Sequence, residues 1–132
     1  MPEKILNNAD LEKIVDTNDE WITTRTGIKE RRILDKGIGT SHMAIQAANT
    51  IIKKKKLDPT EIDLVVVATI TPDMHATATA AYVASEIGAS NAFGFDISAA
   101  CSGFLYGLST ASAFIESGRY KKIILIGADK MS

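Results

Sequence analysis

Cys101 is the only cysteine in the chain and lies in the run Phe95-Asp96-Ile97-Ser98-Ala99-Ala100-Cys101-Ser102-Gly103-Phe104, where a strand-like segment hands over to a helical one. A helix N-terminus presents unpaired backbone N–H groups and a positive dipole end, and both favour a thiolate. A free thiol titrates near about 8.5, and such positions lower that to roughly 3.5–7.5. The small neighbours Ala99, Ala100, Ser102 and Gly103 allow a sharp turn and leave room for a substrate. Nucleophilic attack by sulfur is the chemistry this pattern permits. The competing reading is an inert buried cysteine acting as a small hydrophobe, and the local sequence leaves both open.

Two histidines, His42 and His75, are the other candidate acid–base side chains. His42 falls among polar neighbours on a helical segment and is expected at its surface. His75 falls in the loop after an apolar strand. Lone histidines are usually structural or solvated, and no second ligand at usable spacing points to a metal. A single cysteine excludes a disulfide framework and a Cys-rich zinc site.

These residues must be positioned by elements that the pattern of the chain suggests. At 132 residues, with 45% hydrophobic and 23% charged residues, the composition is that of a soluble globular protein with enough chain for one domain. A net charge of −1 gives no footprint for nucleic acid or an anionic membrane surface. The run Lys53-Lys54-Lys55-Lys56 reads as the cationic end of a helix. The longest apolar stretch, 64–70, is the length of a strand and not of a membrane span. The N-terminal residues carry no apolar core of a signal peptide, so a reduced, cytoplasmic setting is expected.

Asn7 or Asn8 is placed to cap a short helix over 8–15. Thr17-Asn18-Asp19-Glu20 reads as a capping box with Thr17 as the cap, opening a helix that Gly27 stops. The charged stretch 28–34 reads as an edge strand or loop. Apolar positions Met43, Ala44, Ala47, Ala48, Ile51 and Ile52 predict an amphipathic helix over 41–56. Asp58-Pro59 caps one further turn. The unbroken β-branched run 62–70 predicts a strand covered on both faces in a parallel or mixed sheet. A small-residue helix over 77–87, a strand over 92–97, a helix from Cys101 to Glu116 and a strand over 122–127 complete an α/β alternation.

Taken in order, the block Asp16-Thr17-Asn18-Asp19-Glu20-Trp21-Ile22-Thr23-Thr24-Arg25-Thr26-Gly27-Ile28, the strand ending Ala68-Thr69-Ile70-Thr71-Pro72-Asp73, the cysteine segment, and Ile123-Ile124-Leu125-Ile126-Gly127-Ala128-Asp129 resemble β-ketoacyl-[acyl carrier protein] synthase III. This is a condensing-enzyme family of the thiolase-fold superfamily, and the resemblance covers essentially the whole chain. It implies a thiolase-like layered α/β/α fold, of which 1–132 is one partial domain: the N-terminal half, with the family's first strand, assigned to the sheet centre, missing. It also implies an acyltransferase of fatty acid initiation. Cys101 takes an acyl group from acyl-CoA, acetyl or branched, and a carbanion from malonyl-[acyl carrier protein] then attacks it to give a 3-oxoacyl product. Trp21 and Arg25 match positions that sandwich the adenine of CoA, and Thr17 and Thr26 fall in the same segment. No cofactor is implied beyond acyl-CoA as substrate, and the intact enzyme is implied to be a homodimer.

The family's catalytic His and Asn lie in its second half, so the 132-residue chain alone is expected to be incomplete. Ala76 stands where many relatives carry a bulky aromatic that reaches the partner's acyl pocket, which implies a larger pocket here. Two other readings remain: a non-catalytic thiolase-fold module that dimerises or binds CoA, and a thiol hydrolase or acyltransferase pairing Cys101 with a local histidine.

Overall fold

In a computed structural model describing residues 2–131, the chain forms two compact units, one up to Ile38 and one over Gly39–Met131. No helix among the described residues is long and apolar enough to cross a membrane.

The first unit contains β1 (Ile5–Asn7), α1 (Asn8–Leu11), α2 (Asp19–Thr26) and β2 (Glu30–Arg32). β1 and β2 pair antiparallel with Ile5 opposite Arg32. Three residues carry too little alternation to announce β1 from sequence. Asn7 caps α1 through a reciprocal box with Asp10. The helix ends at Leu11 rather than running to residue 15, because Ile14 and Val15 face solvent and give no apolar side to sustain it. The cap of α2 is Asn18, not Thr17: Asn18 Oδ1 accepts from Trp21 N at 2.8 Å, and Glu12 accepts from Asp19 N at 2.8 Å. Gly27 closes α2 in the left-handed region at φ 70°, where glycine alone is unstrained.

The buried amide of Asn8 organises this unit. Its Nδ2 donates to Asp19 Oδ1 at 2.6 Å, Thr23 Oγ1 at 3.3 Å and Ile28 O at 2.9 Å, while its Oδ1 accepts from Arg31. One side chain thereby fastens α2, the turn after it and β2 to the start of α1.

The second unit is a three-layer α/β/α arrangement around a parallel sheet in the order β4-β3-β5, with β3 (Leu64–Ala68), β4 (Phe93–Ile97) and β5 (Ile123–Gly127). All five residues of β3 are buried, as its continuous apolar run predicts. Burial of Leu64, Val65, Val66 and Val67 contributes about 1.5–3 kcal/mol each. β3 is hydrogen-bonded to a strand on both sides.

Side chains alternate between the faces. Val65, Val67, Ile124 and Ile126 pack under α3 (Thr40–Lys55) and α4 (Thr79–Glu86). Leu125 and Phe95 face α5 (Gly103–Glu116) on the other side. In α3, Ala44 and Ala48 are buried, whereas Ala47 and Ile51 of the expected apolar face are exposed, so the stripe that docks is narrower than the sequence suggests.

Remote aspartates start both helices of the first layer. Asp73 Oδ2 accepts from Ser41 N at 3.1 Å, and a Cβ on Gly39 would come within 2.3 Å of that carboxylate. Asp96 accepts from Thr79 N and Ala80 N at 2.7 and 2.8 Å, which fixes the start of α4 at Thr79 rather than 77.

Asp63 pins the opening of the sheet by accepting from Lys121 N at 2.7 Å and Lys122 N at 2.9 Å. Those two backbone bonds, with the lysine charges, hold its carboxyl below the usual carboxylate range. A lowered native pKa gives stability that is full above the unfolded value, about 3.9, and is lost as pH falls through the native one. Urea titrations at pH values from about 4 down to about 2 are expected to show a falling unfolding free energy with a shallower slope in Asp63→Asn; an unchanged slope contradicts the assignment.

Candidate functional site

Cys101 occupies a single 3-10 turn, Ala100–Ser102, between β4 and α5. The chain reverses there through Ala99 at φ −145°, ψ 29°, and Ala100 at φ 44°. A non-glycine residue in the left-handed region stores about 1–2 kcal/mol, so the turn is sharp because its surroundings hold it. What holds it is the close seat of α5. Gly103, Gly107 and Ala111, spaced four apart, form its buried stripe. A Cβ on Gly103 would lie 3.2 Å from Ala68 Cβ, and one on Gly107 would lie 2.5 Å from Leu125 Cδ1. The absence of side chains lets the helix descend onto the strands and lifts Cys101 to their C-terminal end.

Cys101 is exposed, where a buried hydrophobe would not be. It opens into a pocket of about 260 Å³ lined by Ala68, Ala100, Cys101, Phe104, Gly127, Ala128 and Asp129. Small residues at the ends of β3 and β5 make this space, and the Phe104 ring closes over Gly127, 3.3 Å from where its Cβ would be. Asp129 is the one carboxylate in the lining. Its Oδ1 accepts from Thr69 Oγ1 at 2.9 Å, Ile70 N at 2.8 Å and Thr71 Oγ1 at 3.2 Å. The signal for Asp129 in the sequence is an acid two positions after an apolar strand that ends in glycine.

His42 and His75 are both exposed, and neither lines this pocket. The pocket therefore gives no support to a cysteine paired with a local histidine. No group of three His, Cys, Asp or Glu side chains among the described residues is arranged to hold a metal. Ala76 lies exposed in the loop from β3 to α4, outside the pocket lining.

In the first unit, Trp21 and Arg25 lie one helical turn apart on α2, with the guanidinium carbon 4.7 Å from the ring centroid. Such a cation–π contact is worth about 0.5–1 kcal/mol at an exposed position. Trp21 remains 53% exposed, so much of the indole is open to a ligand. Thr26 is committed elsewhere: its hydroxyl donates to Ile22 O at 2.7 Å and accepts from Ile28 N at 3.0 Å, closing the helix. Thr17 is half-buried just before the Asn18 cap.

Residues 95–132, which contain Cys101, match the family model for 3-oxoacyl-[acyl-carrier-protein] synthase III. Over its full length the chain is 59% identical to the β-ketoacyl-[acyl-carrier-protein] synthase III of Chlorobaculum tepidum and 56% identical to β-ketoacyl-[acyl-carrier-protein] synthase III 2 of Bacteroides thetaiotaomicron. It spans 40% of the length of each. The fold matches the crystal structure of 3-oxoacyl-[acyl-carrier-protein] synthase III from Aquifex aeolicus with a TM-score of 0.94 at 50% identity, over 99% of this chain and 42% of that one. The priming β-ketosynthase of the R1128 polyketide pathway matches with a TM-score of 0.93 at 38% identity, over 98% and 39%.

Glycine at position 100 removes the left-handed penalty of about 1–2 kcal/mol and adds roughly 0.5–1 kcal/mol of unfolded-state entropy. Ala100→Gly is therefore expected to stabilise the chain by about 0.5–1 kcal/mol, read as a higher urea midpoint at unchanged slope. A lower midpoint would show that the turn carries no strain.

Proposed function

We propose that this chain belongs to the β-ketoacyl-[acyl-carrier-protein] synthase III family and that Cys101 carries the acyl group in the priming condensation of fatty acid synthesis. The observation that carries this reading is an exposed sulfur on a strained strand-to-helix turn, beside a pocket walled by Ala68, Gly127 and Ala128. Cys101 gives up its proton, its thiolate attacks the acyl-CoA carbonyl, the C–S bond to CoA breaks, and CoA leaves as a thiolate that takes up a proton in turn. Of the backbone N–H groups at this turn, those of Ser102 and Gly103 already donate to Ala99 O and Ala100 O, which leaves the Cys101 N–H as the candidate donor to the tetrahedral oxyanion. Decarboxylation of malonyl-[acyl carrier protein] then supplies a carbanion that attacks the acyl-Cys101 thioester, releasing the cysteine and the 3-oxoacyl product. The resemblance assigns carbanion stabilisation to a His and an Asn of the family's second half. The acylation step is thus the one this chain's own residues support.

Trp21 and Arg25 form the nucleotide end of the CoA site. Their mutual contact means that a base inserting between them displaces Arg25, whereas a base on the exposed indole leaves the pair intact. Thr26 contributes by closing α2 beneath them, because its hydroxyl is already used; Thr17 adds at most a hydroxyl beside the cap. By the resemblance, alanine at position 76 widens the partner's primer pocket toward branched or longer acyl groups. The intact enzyme is read as a cytoplasmic homodimer acting on acyl-CoA and the carrier protein.

Intact-mass measurement of the 132-residue chain after mixing with acetyl-CoA is expected to show one added acetyl group that Cys101→Ser abolishes; acetylation surviving that change sinks the nucleophile assignment.

Trp21 is the sole tryptophan, so CoA is expected to quench the intrinsic fluorescence, with Arg25→Ala raising Kd about tenfold, about 1.4 kcal/mol. Quenching without acetylation would identify a CoA-binding module instead, and no quenching would remove α2 from the CoA site.

A further inference from the structure

We propose that Asp129 is a positioning residue that sets the width of the pocket at Cys101 by tying the loop after β3 to the loop after β5. The proposal rests on the reading of Cys101 as an acyl carrier only in its purpose, since the geometry stands without it. Asp129 lines the same pocket as the thiol. One of its oxygens collects three donors from three consecutive residues, Thr69, Ile70 and Thr71, some sixty positions earlier in the chain. Hydrogen bonds to an ionised acceptor are about twice as strong as neutral ones, and a carboxylate holding a backbone N–H and two hydroxyls fixes all three directions at once.

The network continues outward from that oxygen. Thr69 is buried, and its Oγ1 also accepts from Thr71 N at 3.0 Å. Thr71 Oγ1 donates to Asp129, so it accepts from Lys130 N at 2.9 Å and from Thr40 Oγ1 at 3.0 Å. Two residues on, Asp73 is fixed to the first turn of α3. The segment 69–73 is therefore held at both ends, and Met74, His75 and Ala76 project beyond it into solvent.

The turn that carries Cys101 is held separately, by the seating of Gly103 and Gly107 on the sheet. Loss of Asp129 thus relaxes one wall of the pocket while leaving the sulfur where it is. The consequence is specific: discrimination by size changes, and intrinsic access of a small reagent to the thiol does not. A purely structural role would move both together.

The test alkylates Cys101 in the 132-residue chain with iodoacetamide and with the bulkier N-phenylmaleimide, following each rate by intact mass. Asp129→Ala is expected to raise the ratio of bulky to small reagent rates about tenfold, within the span by which apolar pockets discriminate size. Asp129→Asn keeps an acceptor oxygen and gives a smaller rise, and Thr71→Val, which removes one donor, rises as well. If Asp129→Ala does not fold, the other two variants decide. Equal ratios in every folded variant, or a parallel rise in both rates, overturn the proposal. A shifted ratio in a chain that acetyl-CoA does not acylate leaves the positioning role standing and removes only the acyl-carrier reading.

Discussion

The close approach of α5 to the sheet is the constraint on which the site depends. A helix bearing ordinary side chains at positions 103 and 107 would ride higher, and the preceding turn would have no reason to hold Ala100 at a positive φ. With glycines there, helix backbone rests almost directly on Ala68 and Leu125, and the strain at the turn is offset by packing farther along α5. Cys101 is exposed because the elements on either side of it are buried. Ala68 and Gly127 serve both purposes: their small size admits the helix and leaves the pocket.

The sheet that receives the helix is tied at both ends by single carboxylates. Asp63 captures two backbone N–H groups where β5 begins, and Asp129 captures three donors where β3 ends. Between them the parallel ladder runs in register from Leu64 opposite Ile123 to Ala68 opposite Gly127. A one-residue slip would turn Leu125 away from α5 and Ile124 and Ile126 away from α3 and α4, so the anchors and the two-sided core enforce the same register. In the first unit Asn8 does comparable work with an uncharged group, joining α2 and β2 through a buried amide with satisfied donors and acceptor.

Much of this was legible in the residues themselves. An unbroken run of β-branched side chains can be stable only as a strand covered on both faces, and β3 is one. Gly27, Gly88 and Gly118 end their helices at positive φ, as glycine after an apolar period suggests. The Trp21–Arg25 contact follows from four-residue spacing on a helix, and the place of Cys101 between strand and helix follows from the change of period around it.

The sequence by itself determined whatever neighbouring residues settle among themselves: period, stops, and which segments are too apolar to remain exposed. Tertiary structure decided where the helices start and which groups meet at the pocket. Asn18 rather than Thr17 caps α2 because Glu12 takes the adjacent N–H, and α4 begins at Thr79 because Asp96 reaches it from a strand still to come. Asp129 meets Thr69, Ile70 and Thr71 only after a crossover returns the chain beside β3. A carboxylate's partners are fixed by where the backbone comes back in space, and no local pattern of residues carries that distance.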